Sequence, residues 1–222
     1  MTKVRVRHTE QLARSALTTH RKVLRLTATL WAVRDKRKPP MQYEVELKFP
    51  LANPTGIVAK LMSLGAVAAA PVEQVDRYFN HPSRDFSQTD EAFRIRSAGE
   101  ANCVTYKGTR VDSLTKTRRE IEVAFADGPD AANQMAEVWQ ALGFRFVSEV
   151  RKTRTPLTLD WHQRTYDIAL DEVPPLGTFL EIELLADEAG RVAAGDAILA
   201  LARELNLTHP EHRSYLKLLL GL

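Results

Sequence analysis

Charged and apolar residues alternate one for one through several short segments, and this alternation constrains the fold more than any other feature of the chain. In 43–50, "YEVELKFP", Glu44, Glu46 and Lys48 alternate with Val45, Leu47 and Phe49. Successive side chains of a β-strand point to opposite faces, so a strand here has one charged face and one apolar face. The same parity puts Arg94 with Arg96 in "FRIR", and Arg118 with Glu120 and Glu122 in "RREIEV". It also puts Lys152 with Arg154 in "RKTR" and Glu181 with Glu183 in "FLEIE". Lys107 and Asp171 lie in strand segments of their own.

Between these strands stand helix signals. "NPTGIVAKLMSLGA" begins with a capping Asn53 and Pro54, with Ile57, Leu61 and Leu64 on one face. "DAANQMAEVWQALG" ends at Gly143, and "EAGRVAAGDAILALARELN" is a third helix. "HPSRDFSQTD" and "TRVDSLTKT" read as polar loops, the second mobile and a candidate basic lip. The sum is about eight strands and three or four helices. "EVE", "EIE" and "EIE" at 44–46, 120–122 and 181–183 form a weak repeat of an acidic strand followed by a helix. Short links and no regular βαβ spacing predict an antiparallel sheet in an α+β fold.

A solvated sheet face explains any one charged strand. For the set, the apolar faces need the helices as cover, so the charged faces turn toward one another. The expectation is an eight-stranded antiparallel barrel, a tunnel with a charged lumen and helices outside. Such a lumen is costly when empty. Clustered carboxylates favour hard divalent cations, and clustered Arg and Lys favour phosphate. Magnesium or manganese with a nucleoside triphosphate or inorganic polyphosphate satisfies both. No G-x-x-x-x-G-K-[ST] or G-x-G-x-x-G segment offers another route to phosphate, and the six histidines show no metal-protease spacing.

Composition adds limits. Residues 1–40 hold eleven Lys/Arg against Glu10 and Asp35, whereas the remainder is acidic, so the overall charge of +3 does not signal nucleic-acid binding. Three readings of this leader stay open: an early start with Met41 as the true one, a basic docking helix, or a targeting segment. Residues 41–222 form a single domain. Cys103, a small residue in a hairpin, is the only cysteine, which excludes an intrachain disulfide and points to a reducing, cytoplasmic compartment. No stretch is long and apolar enough for a membrane helix, and the three tryptophans form no stacking ladder for nucleic acid. Outer helices that can pair make a homodimer an open expectation.

Eight segments in order resemble the CYTH superfamily, the triphosphate tunnel metalloenzymes: "EVELK" (44–48), "DRYF" (76–79), "FRIR" (93–96), "TYKG" (105–108), "RREIEV" (118–123), "RKTR" (151–154), "LDEVPPLGTFLEIE" (170–183) and "RSYLKLL" (213–219). The resemblance is greatest to the class IV adenylyl cyclase branch, which converts ATP to cyclic AMP and pyrophosphate. Related branches hydrolyse thiamine triphosphate or tripolyphosphate, so the resemblance implies the substrate class more firmly than the reaction. It implies two Mg2+ or Mn2+ ions on Glu44, Glu46, Glu181 and Glu183, with Asp171 assisting and Glu120 and Glu122 binding metal or orienting bases. It implies a triphosphate cradle of Lys48, Arg94, Arg96, Lys107, Arg118, Lys152 and Arg154. Glu44, Glu46, Lys48 and Asp171 are the catalytic candidates. Tyr78 and Phe79 are read as wall, Gly177 as a turn, and Ser214 and Tyr215 as a tail at one tunnel mouth. A non-catalytic polyphosphate binder and a nucleic-acid module driven by the leader are the rivals from other classes.

Overall fold

The computed structural model describes residues 43–111 and 115–222. The leader, and Asp112 to Leu114 of the expected basic lip, lie outside the described residues. In chain order the elements are β1 (Tyr43–Pro50), α1 (Pro54–Ser63), β2 (Val67–Ala68), β3 (Val72–Asn80), α2 (Phe86–Thr89), β4 (Ala92–Ala98), β5 (Ala101–Lys107), β6 (Arg118–Phe125), α3 (Pro129–Ala141), β7 (Arg145–Trp161), β8 (Arg164–Val173), β9 (Gly177–Ala186), α4 (Arg191–Glu204) and α5 (Tyr215–Leu219).

All pairings are antiparallel, in the order β7-β3-β4-β5-β6-β1-β9-β8, and β8 returns to β7 to close an eight-stranded barrel. The 17-residue β7 makes closure possible. Its first half pairs with β3, from Arg145↔Asn80 to Arg154↔Val72, and its second half pairs with β8, from Thr153↔Glu172 to Trp161↔Arg164. The two-residue β2 adds an extra strand beside β7, which the sequence pattern did not show. The narrowest seam is β1–β6, with Tyr43↔Arg119 and Glu44↔Arg118 as its paired residues. The loop before β6 extends this seam, because Lys116 N–H donates to the Glu46 carbonyl at 3.0 Å.

Strand parity then sorts the residues. Val45, Leu47 and Phe49 point outward and are at most 2% exposed, under α1 and α4 in one core with Leu61, Ile198 and Leu201. Burying each large side chain contributes about 1.5–3 kcal/mol. A second outer core joins Phe79 and Ile95 to Ala132, Ala136 and Trp139 of α3. The first helix begins where the sequence placed it: Asn53 Oδ1 accepts from Gly56 N–H at 3.1 Å, and Pro54 fills the first turn, where its missing N–H has no partner to lose.

A third cluster lies inside the barrel. Tyr78, Val150, Val173 and Phe179 share the inward parity, and Tyr215 of α5 packs among them. The C-terminal helix therefore plugs this end. Ser214 caps α5, accepting from Lys217 N–H at 3.1 Å, which aims Tyr215 inward. Gly177 starts β9 with a φ of +106°, a conformation that L side chains rarely adopt. One polar loop is more ordered than expected: Asp85 caps the turn of α2 and Phe86 is buried. The other supplies buried Thr115, Lys116 and Thr117 directly before β6.

Candidate active site

The inward positions enclose a cavity of about 380 Å³. Every basic and acidic residue singled out from the sequence lines it except Asp171, which is fully buried in its wall. Register decides which charges meet. Across β1–β9, Glu46 stands directly opposite Glu183, and Lys48 opposite Glu181. Like charges directly opposite destabilise a sheet, so the Glu46–Glu183 pair needs a compensating cation.

Glu44, Glu46 and Glu183 form the tightest acidic group: one oxygen of each lies within 4.8 Å of the others. Burial pushes the Glu44 carboxyl up to about 6, against the pull of Lys107. Burial, then Glu44 and Glu46, push Glu183 well above the usual range. Three converging carboxyl groups, of which Glu44 and Glu183 are pushed above the usual range, all offer oxygen, and that suits a hard divalent cation.

The other acids are matched to bases. Asp171 accepts from Lys152 Nζ at 2.8 Å, Arg154 Nε at 2.7 Å and the Tyr215 hydroxyl at 3.0 Å. Glu181 is paired with Arg154. Burial opposes its charge, but Arg154 and Lys152 outweigh this and hold the carboxyl well below the usual range. Lys107 Nζ bridges Glu44 at 2.6 Å and Glu120 at 2.9 Å. Burial opposes the Lys107 charge too, but Glu44 and Glu120 raise its pKa above the ordinary lysine value. Glu122 accepts from the Thr105 hydroxyl at 2.9 Å. Thus Glu44, Glu46 and Glu183 converge, with Lys107 on Glu44 and Lys116 on Glu46, whereas Asp171, Glu181, Glu120 and Glu122 lie outside this group on partners of their own.

The basic wall is desolvated. Burial, with Lys116 nearby, lowers the Lys48 ammonium to about 7, and its Nζ sits 3.9 Å from the Tyr215 ring centroid while donating to the Arg213 carbonyl at 2.6 Å. Burial, then Arg154, lowers Lys152 to about 8. Arg118 Nη1 donates to the Asp90 carbonyl at 3.1 Å, and Arg118 stands beside Glu44 in the β1–β6 register. Mutually repelling cations around a cavity favour a polyanion in it.

Two participants, Asp76 and Lys116, were given no role from the sequence, and Tyr78 was read as wall. Asp76 is 1% exposed and clamps Arg96 through both oxygens, at 2.7 and 2.8 Å, with Arg94 at 3.3 Å. A signal existed, because Asp76 shares the parity of Tyr78 in "DRYF". Tyr78 itself lines the cavity, its hydroxyl 3.4 Å from Arg94 Nη1. Lys116 donates to Glu46 Oε1 at 2.9 Å from a loop with no periodicity that could have placed it. Cys103 is half-buried, and His81 stays in its loop with its ring near Ser83.

Comparison with known proteins is consistent with this geometry. The family model described as the CYTH domain matches residues 42–215. A protein of Methanocaldococcus jannaschii named "Putative adenylate cyclase" is 34% identical over 178 residues, which cover 79% of this chain and 97% of that protein. A solved structure from Pyrococcus horikoshii superposes with a TM-score of 0.71 at 37% identity, covering 80% of this chain and 98% of that one. A Hippeastrum protein, described as a "putative adenylyl cyclase" with a dominant triphosphatase activity, shares the fold at a TM-score of 0.58 and 16% identity, covering 82% of this chain and 96% of that one.

Proposed function

The chain belongs to the CYTH family, and we propose that it is a divalent-metal-dependent adenylyl cyclase, converting ATP to cyclic AMP and pyrophosphate inside the tunnel. One observation carries the reading: a convergent oxygen site of Glu44, Glu46 and Glu183 faces a wall of buried bases in a single cavity. A pure anion binder has no use for like-charged carboxylates set against one another. The full-length likeness to the M. jannaschii protein, named as a cyclase, favours cyclisation.

Glu44, Glu46 and Glu183 would hold Mg2+ or Mn2+. Bound there, the ion supplies positive charge at the reacting phosphate and lowers the pKa of a ligated hydroxyl. The protein's own part is positioning and charge neutralisation. In the reaction the ribose 3′-oxygen bonds to the α-phosphorus, the bond from that phosphorus to the bridging oxygen breaks, and pyrophosphate leaves with the electron pair. The hydroxyl proton passes to solvent. Arg94, Arg96, Lys152 and Arg154 would bind the departing phosphates, with Lys107 beside Glu44. Asp76 and Asp171 hold the arginines in orientation before substrate arrives. Tyr215 closes the plugged end and keeps water from it.

A second reading, a triphosphatase, is favoured by the nearly all-charged lining, which engages the triphosphate and offers a base little beyond Leu184, Leu185 and two tyrosines. Product analysis separates the two. ATP and tripolyphosphate are incubated separately with the full chain and Mg2+ or Mn2+. Cyclic AMP with equimolar pyrophosphate is the expected result. Orthophosphate without cyclic AMP would move the protein to the triphosphatases.

A further inference from the structure

We propose that Lys217 of α5 is a positioning residue for triphosphate binding: it occupies Asp90, an anion that without it draws Arg110 and Arg118 away from the tunnel. The inference rests on the cradle reading above and concerns a residue that does not line the tunnel. Lys217 and Asp90 line a second, smaller cavity of about 100 Å³, and Arg110 and Arg118 line both cavities. The two arginines therefore stand between an anion of the protein on one side and the place of the substrate's anion on the other.

One carboxylate serves three cations. Asp90 Oδ1 accepts from Lys217 Nζ at 2.8 Å. Asp90 Oδ2 lies 2.8 Å from Arg110 Nε, out of line for a hydrogen bond, and 3.8 Å from Arg118 Nη2. Arg118 donates instead from Nη1 to the Asp90 carbonyl at 3.1 Å. Burial opposes the Asp90 charge, but Lys217, Arg110 and Arg118 outweigh it and hold the carboxyl below its usual range. Both partners of the Lys217–Asp90 pair have a fixed backbone. Asp90 follows α2 at a φ of +56°, a left-handed conformation that Asp and Asn tolerate. Ser214 caps α5, and the Tyr215 hydroxyl donates to buried Asp171 at 3.0 Å. Removing the Lys217 ammonium frees Asp90 Oδ1. That oxygen then takes Arg118 while Oδ2 keeps Arg110, and a carboxylate holds a guanidinium strongly. An arginine held this way has fewer N–H groups to offer a triphosphate. The seated C-terminal helix thus keeps both arginines available to the tunnel.

The test is a double-mutant cycle on the full chain, read by calorimetry with tripolyphosphate in metal-free buffer, so that no turnover occurs. Wild type, Lys217→Met, Asp90→Asn, the double variant and Lys217→Arg are compared. Lys217→Met should bind about tenfold more weakly than wild type, a size typical of coupled neighbouring charges. Asp90→Asn should bind at least as tightly as wild type, because the competing anion is gone. The double variant should match Asp90→Asn, and Lys217→Arg should restore wild-type affinity. Thermal melting confirms that each variant is folded; where one is not, Lys217→Gln or Asp90→Gly takes its place with the same expectation. A plain loss of one positive charge predicts equal weakening by Lys217→Met with and without the Asp90 carboxylate, and that result would overturn the proposal. Unchanged affinity in Lys217→Met, or weaker binding by folded Asp90→Asn, would overturn it too and leave the cradle standing. No binding of tripolyphosphate by wild type would overturn the cradle reading itself, and this inference with it.

Discussion

Replacing Asp76 by Asn tests whether the basic wall is held ready by protein anions or merely gathered by the fold. The carboxylate is buried and accepts three guanidinium N–H groups, two from Arg96 and one from Arg94. Asn keeps the shape, loses the charge, and turns an amide N–H toward an arginine that is itself a donor. Removing one member of a buried ion pair costs about 3–5 kcal/mol. For a domain of this size each kcal/mol moves the melting temperature by about 2–4 °C, so a fall of about 6–20 °C is expected by circular dichroism. Tripolyphosphate without metal should raise the mutant's melting temperature more than the wild type's, because the freed arginines gain an anion. Acid supplies an independent check. Burial opposes the Asp76 charge, but Arg94 and Arg96 outweigh it and hold the carboxyl well below its usual range. A carboxyl whose folded-state pKa is depressed stabilises above its unfolded value, about 3.9, and loses that contribution as pH falls toward the folded value. The gap between wild type and mutant should therefore be constant from about pH 5 to 7 and narrow below about pH 4. A loss under about 2 °C, with a gap that does not change in acid, would refute the reasoning.

Glu46→Gln or Glu183→Gln should lower metal-dependent turnover at least about a hundredfold. Without metal, Glu183→Gln should melt no lower than wild type, because burial, Glu44 and Glu46 already oppose the charged form of Glu183; full activity in both variants would remove the metal assignment. Arg96→Ala should weaken binding of a nucleoside triphosphate by about 10–100-fold, the worth of a charge-assisted hydrogen bond, and of the monophosphate far less. Equal losses by calorimetry would take Arg96 out of the cradle.

Strand parity carried most of what was legible in the sequence. "EVELK", "FRIR" and "FLEIE" alternate strictly, and a strand allows no other assignment of faces, so the lumen, the outer helices and the closed barrel followed together. Elements without a period were missed. β2 is two residues long, Phe86 is a single apolar residue in a polar loop, and Lys116 lies where hydrogen bonding to β1 orders the chain.

Parity could not say which acids are alike. Glu44, Glu46, Asp171, Glu181 and Glu183 all face the lumen, and a sequence pattern treats them as one set. Register separates them. Arg154↔Asp171 places a base against an acid on β7 and β8, and the result is a permanent ion pair. Glu46↔Glu183 places an acid against an acid on β1 and β9, and with Glu44 the result is a three-carboxyl group in which Lys107 meets Glu44 and Lys116 meets Glu46. The pairing of β1 with β9 is set by residues far apart in the chain. The difference between a carboxylate that positions an arginine and one that can take a metal is therefore written in the closure of the barrel. Lys116 belongs to the same account: it reaches Glu46 because the narrow β1–β6 seam leaves room for a loop backbone to complete the ladder.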